Sequence, residues 1–320
     1  MADIIALLLP FFGLIVIGFI AAKATGQPSE ALGWMNTFIV YAALPALFFR
    51  LVSRTPIEQL TRIDFILGEI AATYLVFTAI FLIGYLLRRH SFADSTIQAF
   101  AGAYGNIGYM GPGLALLAFG EAAAVPVALI VCFENAAHFI VAPAMMAIAG
   151  GDRRPALMVL RDIAGKVLLH PFILSTALGF CVAALGLVPP APVQQLVDYL
   201  AQAAAPCALF AMGVTLALRP VRRIPAEITY IAVFKLILLP LTTWVVLSSI
   251  GDFEQVWISS AMLLSALPTA TNVFVISQHY GVWQERASAS ILIVTLASVF
   301  TLPLVLYVIQ AGLLPSHLLP

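Results

Sequence analysis

Ten long apolar runs divide this sequence, and they decide what it can fold into. They fall near 4–22, 33–53, 65–87, 95–119, 122–149, 167–188, 194–218, 227–250, 255–278 and 287–312. Each approaches or exceeds the roughly 20 residues that a helix needs to cross a hydrocarbon core. The runs are continuous, whereas strands of a membrane barrel would be about 10 residues long and alternating. Backbone groups in lipid must satisfy one another, and helices do this within a single segment. The reading is an all-α membrane protein of ten transmembrane helices. Only 9% of the 320 residues are charged, against about 25% in a soluble domain. That excludes a soluble globular protein, a disordered chain and a nucleic-acid binder. Fifteen basic and fifteen acidic residues cancel, so no field of one sign invites a polyanion.

Loop charges set the orientation. Lys23, Arg88, Arg89, Arg153, Arg154, Arg161, Lys166, Arg219, Arg222, Arg223 and Arg286 all follow odd-numbered runs. The other side holds Arg50, Arg54 and Arg62, and Lys235 lies inside run eight. Cytoplasmic loops are enriched in Lys and Arg, so the odd loops are cytoplasmic and both termini face outward. Asp3 precedes the first apolar run and Lys23 follows it. This is the reverse of a signal peptide's charge order, and run one reads as a retained helix. Cys132, Cys181 and Cys207 lie in apolar runs and suggest neither a disulfide frame nor a zinc site.

The chain resembles itself. Pro10-Phe11 and Gly18-Phe19 recur 161 residues later as Pro171-Phe172 and Gly179-Phe180. Pro45 recurs as Pro206 at the same offset, and Pro143 recurs as Pro303 at an offset of 160. The charged connection 150–166 separates residues 1–149 from 167–320. Five runs is an odd number, so the second half must insert upside down. Inverted repeats are a common plan of secondary transporters.

The chemistry concentrates at two interruptions. Run four holds GNIGYMGPG at 105–113, and run nine holds LPTATNVFV at 267–275. Proline removes a helical donor and clashes with the preceding turn, and glycine tolerates unusual backbone angles. Two broken helices at matching places in inverted halves point to a midplane site. Helix N-termini at such breaks favour an anion. Asn106 and Asn272 add amides that both donate and accept, and Thr269 and Thr271 add hydroxyls. Ordinary proline kinks are the plainer alternative. Ionisable residues inside the runs form a second set: Glu69, Glu134, His138 and Lys235. A charge at mid-bilayer costs at least about 2.5 kcal/mol, so such residues are expected to be paired or functional. Glu134 and His138 share a helix face. Lys235 has the charge to neutralise either Glu134 or Glu69, and the sequence does not choose. GxSxG, HExxH and GxxxxGK[ST] motifs are absent, so neither an enzyme nor a nucleotide site is expected, and no cofactor or metal.

LLPFFGLIVIGFIAAK (8–23), FIVYAALPALFF (38–49), GNIGYMGPGLAL (105–116) and LPTATNVFVISQHYG (267–281) closely resemble the auxin efflux carrier family. It contains the plant PIN transporters and bacterial permeases assigned to malonate or malate. The resemblance spans essentially the whole chain, without the long central loop of the larger plant members. It implies two inverted five-helix repeats with broken, crossing helices four and nine, similar to bile-acid symporters and sodium/proton antiporters. Helices one, two, six and seven would form a scaffold that makes a homodimer in the bacterial inner membrane. Helices three to five and eight to ten would move as an elevator. Asn106, Gly108 and Pro112 would carry the first crossing, and Pro268, Thr269, Thr271 and Asn272 the second. The implied cargo is a small carboxylate such as malonate, malate or an auxin-like acid, driven by membrane potential or a proton gradient. Glu134, His138, Lys235 and Glu69 would form a coupling network, with the lysine's fixed charge where a sodium ion would otherwise bind. The alternatives are a sodium-coupled symporter and a ligand sensor that moves nothing.

Overall fold

The computed structural model describes residues 2–150, 165, 168–218 and 225–315. The connection expected at 150–166 therefore lies, but for Gly150 and Gly165, outside the described residues. Within them every regular element is helical, apart from one isolated bridge between Gly105 and Thr269.

Twelve helices are labelled here. In chain order α1 is Ala2–Thr25, α2 Glu30–Ser53, α3 Ile63–Leu82, α4 Phe92–Ala103, α5 Gly111–Phe119 and α6 Ala124–Gly150. Then follow α7 Pro171–Ala184, α8 Ala191–Leu218, α9 Glu227–Ile250, α10 Gln255–Ser265, α11 Asn272–Tyr280 and α12 Gln284–Gln310. Among the described residues seven helices are long and apolar enough to cross a membrane. Large apolar side chains such as Leu9, Leu75, Leu178, Phe300 and Leu304 point outward and are well exposed. A shell of this kind needs an apolar surrounding, and the protein is a multi-pass membrane protein.

Local sequence explains the irregularities. Pro45 and Pro240 each follow a π turn, at Ile39–Ala43 and Phe234–Leu238. The wider turn accommodates the ring and the donor that proline lacks. Pro112 and Pro171 sit instead in the first turn of α5 and α7, where no N–H is needed. Pro112 therefore starts a helix, and the interruption lies ahead of it at 104–110. Ser91 caps α4: its Oγ accepts from the Asp94 N–H at 3.0 Å and donates to the Asp94 carboxylate at 2.8 Å.

Two packed pairs frame the molecule. α1 lies along α8, and α2 lies along α7. Glycines allow the approach. A Cβ on Gly18 would stand 2.2 Å from the Phe210 carbonyl oxygen, and one on Gly213 would stand 2.0 Å from that of Ile15. Small residues at such contacts let membrane helices meet backbone to backbone. α3 packs against α4 and α9, and α9 against α10 and α12. Phe65 meets Phe253 and Trp257 edge-on at 5.4 and 4.8 Å, and Phe77 meets Phe100 at 4.8 Å.

Candidate functional site

The chain leaves helix after Ala103 and again after Ser265, and the two breaks bind each other. The Asn106 N–H donates to the Pro268 carbonyl at 2.8 Å, and the Ala270 N–H donates to the Tyr104 carbonyl at 2.9 Å. The Thr269 hydroxyl donates to the Ala101 carbonyl at 2.6 Å. Backbone groups freed by one break are thus satisfied by the other, as a buried backbone demands. Gly105 and Thr269 face each other here, 164 residues apart.

A cavity of about 330 Å³ opens beside this crossing. Asn36, Tyr109, His170, Thr215, Thr271 and Asn272 give it polar groups, and Met212 and Phe172 are among its apolar walls. A smaller recess continues from it to Asn106, Gly108, Tyr104 and Asn135, sharing Tyr109, Phe172, Thr271 and Asn272. The expected residues divide. Asn106, Gly108, Thr271 and Asn272 border these spaces. Pro268 and Thr269 are buried in the crossing itself and Pro112 in the first turn of α5, and none of the three borders either space. The Asn106 side chain donates toward the Met212 sulfur at 3.4 Å, which ties the first break to α8.

Tyr104 joins the cavity to the interior. Its hydroxyl accepts from the Asn272 amide at 2.9 Å and donates to the Asn135 side-chain oxygen. The Asn135 amide donates to the Val131 carbonyl at 2.6 Å. The Tyr104 ring lies against that of His138, centroids 4.0 Å apart. His138 is within hydrogen-bond reach of the Tyr74 hydroxyl at 3.0 Å and of the Glu134 carboxylate at 3.3 Å. The Thr73 hydroxyl donates to the same Glu134 oxygen at 3.3 Å. A continuous set of contacts therefore runs from Asn272 to Glu134.

Lys235 lies deeper, fully buried in the π turn of α9. Its ammonium donates to the Ser265 carbonyl at the end of α10. That is the negative end of a helix dipole, where a cation is favoured. A Cβ on Gly105 would come within 3.2 Å of this ammonium, so the glycine leaves room for it. Glu134 and Glu69 are close enough to interact with the lysine electrostatically. Glu69 is 2% exposed, and neither carboxyl oxygen has a hydrogen-bond partner. It shares with Glu134 a crevice walled by Phe65, Ile66, Ile70, Leu129, Ile130 and Phe133, with no room for a water molecule. Among the described residues no group of His, Cys, Asp or Glu could hold a metal ion.

Sequence reasoning missed His170, Asn36, Tyr104 and Tyr109. Tyr104 adjoins the glycine-rich motif and Tyr109 lies within it. His170 precedes the repeated Pro171-Phe172 pair, so that pair marked its position without marking its role. Asn36 carried no signal.

The sequence comparisons agree with this architecture. A family model described as a membrane transport protein matches residues 3–306. The chain is 63% identical over 320 residues to the "Putative malonate transporter" of Rhizobium meliloti (strain 1021), covering 100% of each chain. It is 24% identical over 309 residues to the "Uncharacterized transporter YfdV" of Escherichia coli (strain K12), covering 94% of this chain and 96% of that one.

Proposed function

This chain belongs to the auxin efflux carrier family of membrane transport proteins, and on that premise we propose that it is a secondary transporter of small organic anions. It is not an enzyme. The observation that carries the reading is the cavity of about 330 Å³ whose wall includes Thr271 and Asn272 at a helix break. Neutral donors and a helix N-terminus suit a carboxylate. The relative named for malonate makes that acid the first substrate to try.

We read the twelve helices as ten spans in two inverted five-helix repeats. α4 with α5 forms span four, and α10 with α11 forms span nine. Two pairings that exchange the halves support this. Gly18 meets Phe210, and Gly179 meets Phe49, each partner displaced by 161 residues. The hydrogen bonds from Asn106 to Pro268 and from Ala270 to Tyr104 also exchange the halves, at an offset of 164. α1, α2, α7 and α8 form the scaffold, the surface of homodimer contact. α3–α6 and α9–α12 form the moving part. The cavity is walled by α2 and α8 on one side and by the crossing and α11 on the other, which suits an elevator motion. Asn36, His170 and Thr215 lie near helix ends that adjoin, along the sequence, the basic residues Lys23, Lys166 and Arg219. With that side cytoplasmic in a bacterial inner membrane and both termini outside, the cavity opens inward.

The driving force is the membrane potential or a proton gradient. The Lys235 ammonium already satisfies the α10 carbonyl end, which disfavours a sodium-coupled symporter. A sensor that binds without flux is the reading of another class. Uptake of labelled malonate, malate and indole-acetate into proteoliposomes tests all of this, with a potential, a proton gradient and a sodium gradient imposed in turn. Saturable uptake of one acid, lost in Asn272→Ala, is the expected result. Binding without flux under every gradient would sink the transport reading.

A further inference from the structure

We propose that His170 is a neutral hydrogen-bond donor to a carboxylate in the cavity, and that the cavity takes a dicarboxylic acid as its monoanion. This rests on reading the cavity as the transport site and goes on to specify which charge state of the substrate it accepts.

The ring's protonation follows from its contacts. His170 caps α7, and its Nδ1 accepts the Phe172 N–H at 3.4 Å. An imidazolium carries hydrogen on both nitrogens and cannot accept, so the cap requires the neutral ring with its hydrogen on Nε2. The positive end of the α7 dipole also disfavours a cation there. Phe139 and Phe172 pack on the ring, centroids 4.5 and 4.6 Å away, and fix its orientation. With Nδ1 committed, Nε2–H is the group this side chain can offer to a cavity it lines.

The rest of the wall is also neutral. Facing His170 across the cavity are Asn36 of α2, Tyr109 of the first break, Thr215 of α8, and Thr271 and Asn272 at the second break. The Thr215 hydroxyl is spent on the Ala211 carbonyl. The Thr271 hydroxyl is buried without a partner. On α6 the titratable His138 is turned to Tyr74 and Glu134 instead. Among the described residues no Lys, Arg, Asp or Glu lines the cavity.

One carboxylate fits such a wall, since neutral N–H and O–H donors can replace its water. A second carboxylate would bring another charge into a low-dielectric space with no cation to meet it, and the group neutralises instead. As a carboxylic acid it keeps an O–H to donate, and the amide oxygens of Asn36 and Asn272 can accept. The acid then crosses with one net negative charge and carries a proton itself.

Calorimetric binding to the purified protein tests this apart from transport, using malonate and monomethyl malonate over a range of pH. Above the second pKa of malonate, its apparent Kd should rise about tenfold per pH unit as the monoanion disappears. Monomethyl malonate, singly charged throughout, should bind with a constant Kd. A flat Kd for malonate above that pKa would overturn the monoanion, whether or not the monoester binds. His170→Asn keeps a good capping side chain, and its shorter amide does not reach the position of the Nε2 donor. It should weaken both acids about ten- to a hundredfold with thermal stability unchanged. An unchanged Kd in that variant would reduce His170 to a cap. Normal pH-dependent binding without flux would leave this inference standing and sink the transport reading alone.

Discussion

Gly18 of α1 meets the backbone of Phe210 of α8 so closely that a Cβ on the glycine would stand 2.2 Å from the carbonyl oxygen. Residues 161 positions away repeat the contact with the halves exchanged. A Cβ on Gly179 would stand 3.1 Å from the carbonyl oxygen of Phe49. The two contacts are equivalent in kind and unequal in room, which yields a ranked prediction. Gly18→Ala must push α1 off α8 and should cost about 1–3 kcal/mol, the usual range for overpacking. At Gly179→Ala the neighbours need to give only a little, and the loss should be smaller. Thermal unfolding should place wild type highest, Gly179→Ala next and Gly18→Ala lowest. The reverse order would contradict the packing.

Tyr104 links two asparagines, so removing its hydroxyl has two consequences. Tyr104→Phe leaves the buried Asn135 oxygen without its donor, at a cost of about 1–3 kcal/mol. It also releases the Asn272 amide from its partner. Stability and malonate affinity should fall together. Asn272→Ala in the same background should then lose less than it does alone, because linked residues are non-additive. A double-mutant cycle in binding free energy measures this, and strict additivity would break the link.

Lys235 is the most exacting buried group. Lys235→Met removes the donor to the Ser265 carbonyl and leaves Glu134 without its nearby cation. Stranding a buried charge costs up to about 3–5 kcal/mol where the pair is in direct contact, and a smaller loss is expected here, where the lysine's hydrogen bond goes to Ser265. Lys235→Met combined with Glu134→Gln should recover part of that loss, because the stranded negative charge is gone. Melting temperatures of the two single variants and the double variant decide it. A double variant no more stable than Lys235→Met would mean that the lysine acts through α10 alone.

Glu69 makes the opposite expectation. Both oxygens are buried without hydrogen-bond partners, so the attraction of the nearby Lys235 is set against an unrelieved desolvation cost. Glu69→Leu should leave stability unchanged or raise it. If the carboxyl belongs to the coupling network, the same variant should lose any dependence of uptake on a proton gradient while still moving acid down a potential. Uptake under each gradient separates the two effects, and undiminished proton dependence would remove Glu69 from the network.

How far these features were legible depends on how local their signals are. The apolar runs and both interruptions could be read directly, because span length and helix breakers are properties of contiguous residues. The sequence also marked Asn106, Gly108, Thr271 and Asn272, which border the cavity or its recess. Pro112, Pro268 and Thr269 share the same motifs, yet they border neither space. A motif fixes which segment breaks, and only the pairing of the two breaks decides which side chains turn outward. His170 was missed for a related reason. Its role arises from a backbone N–H two residues on and from Phe139 on another helix, and no spacing along the chain carries that.

Thr269 and Thr271 give the most direct test of this division. They are two residues apart, and their hydroxyls do different work. Thr269 donates to the Ala101 carbonyl inside the crossing and borders no cavity. Thr271 borders both spaces, and its hydroxyl has no protein partner. Valine keeps the shape of threonine and removes the hydrogen bond. Thr269→Val should therefore cost about 1 kcal/mol of stability or somewhat more, because it strands a buried carbonyl, with malonate affinity nearly unchanged. Thr271→Val should leave stability level and weaken binding, by roughly tenfold if the hydroxyl donates to a carboxylate. Melting temperature and Kd measured on the same preparations give four values. The reverse pattern would mean that the ligand sits within the crossing rather than beside it.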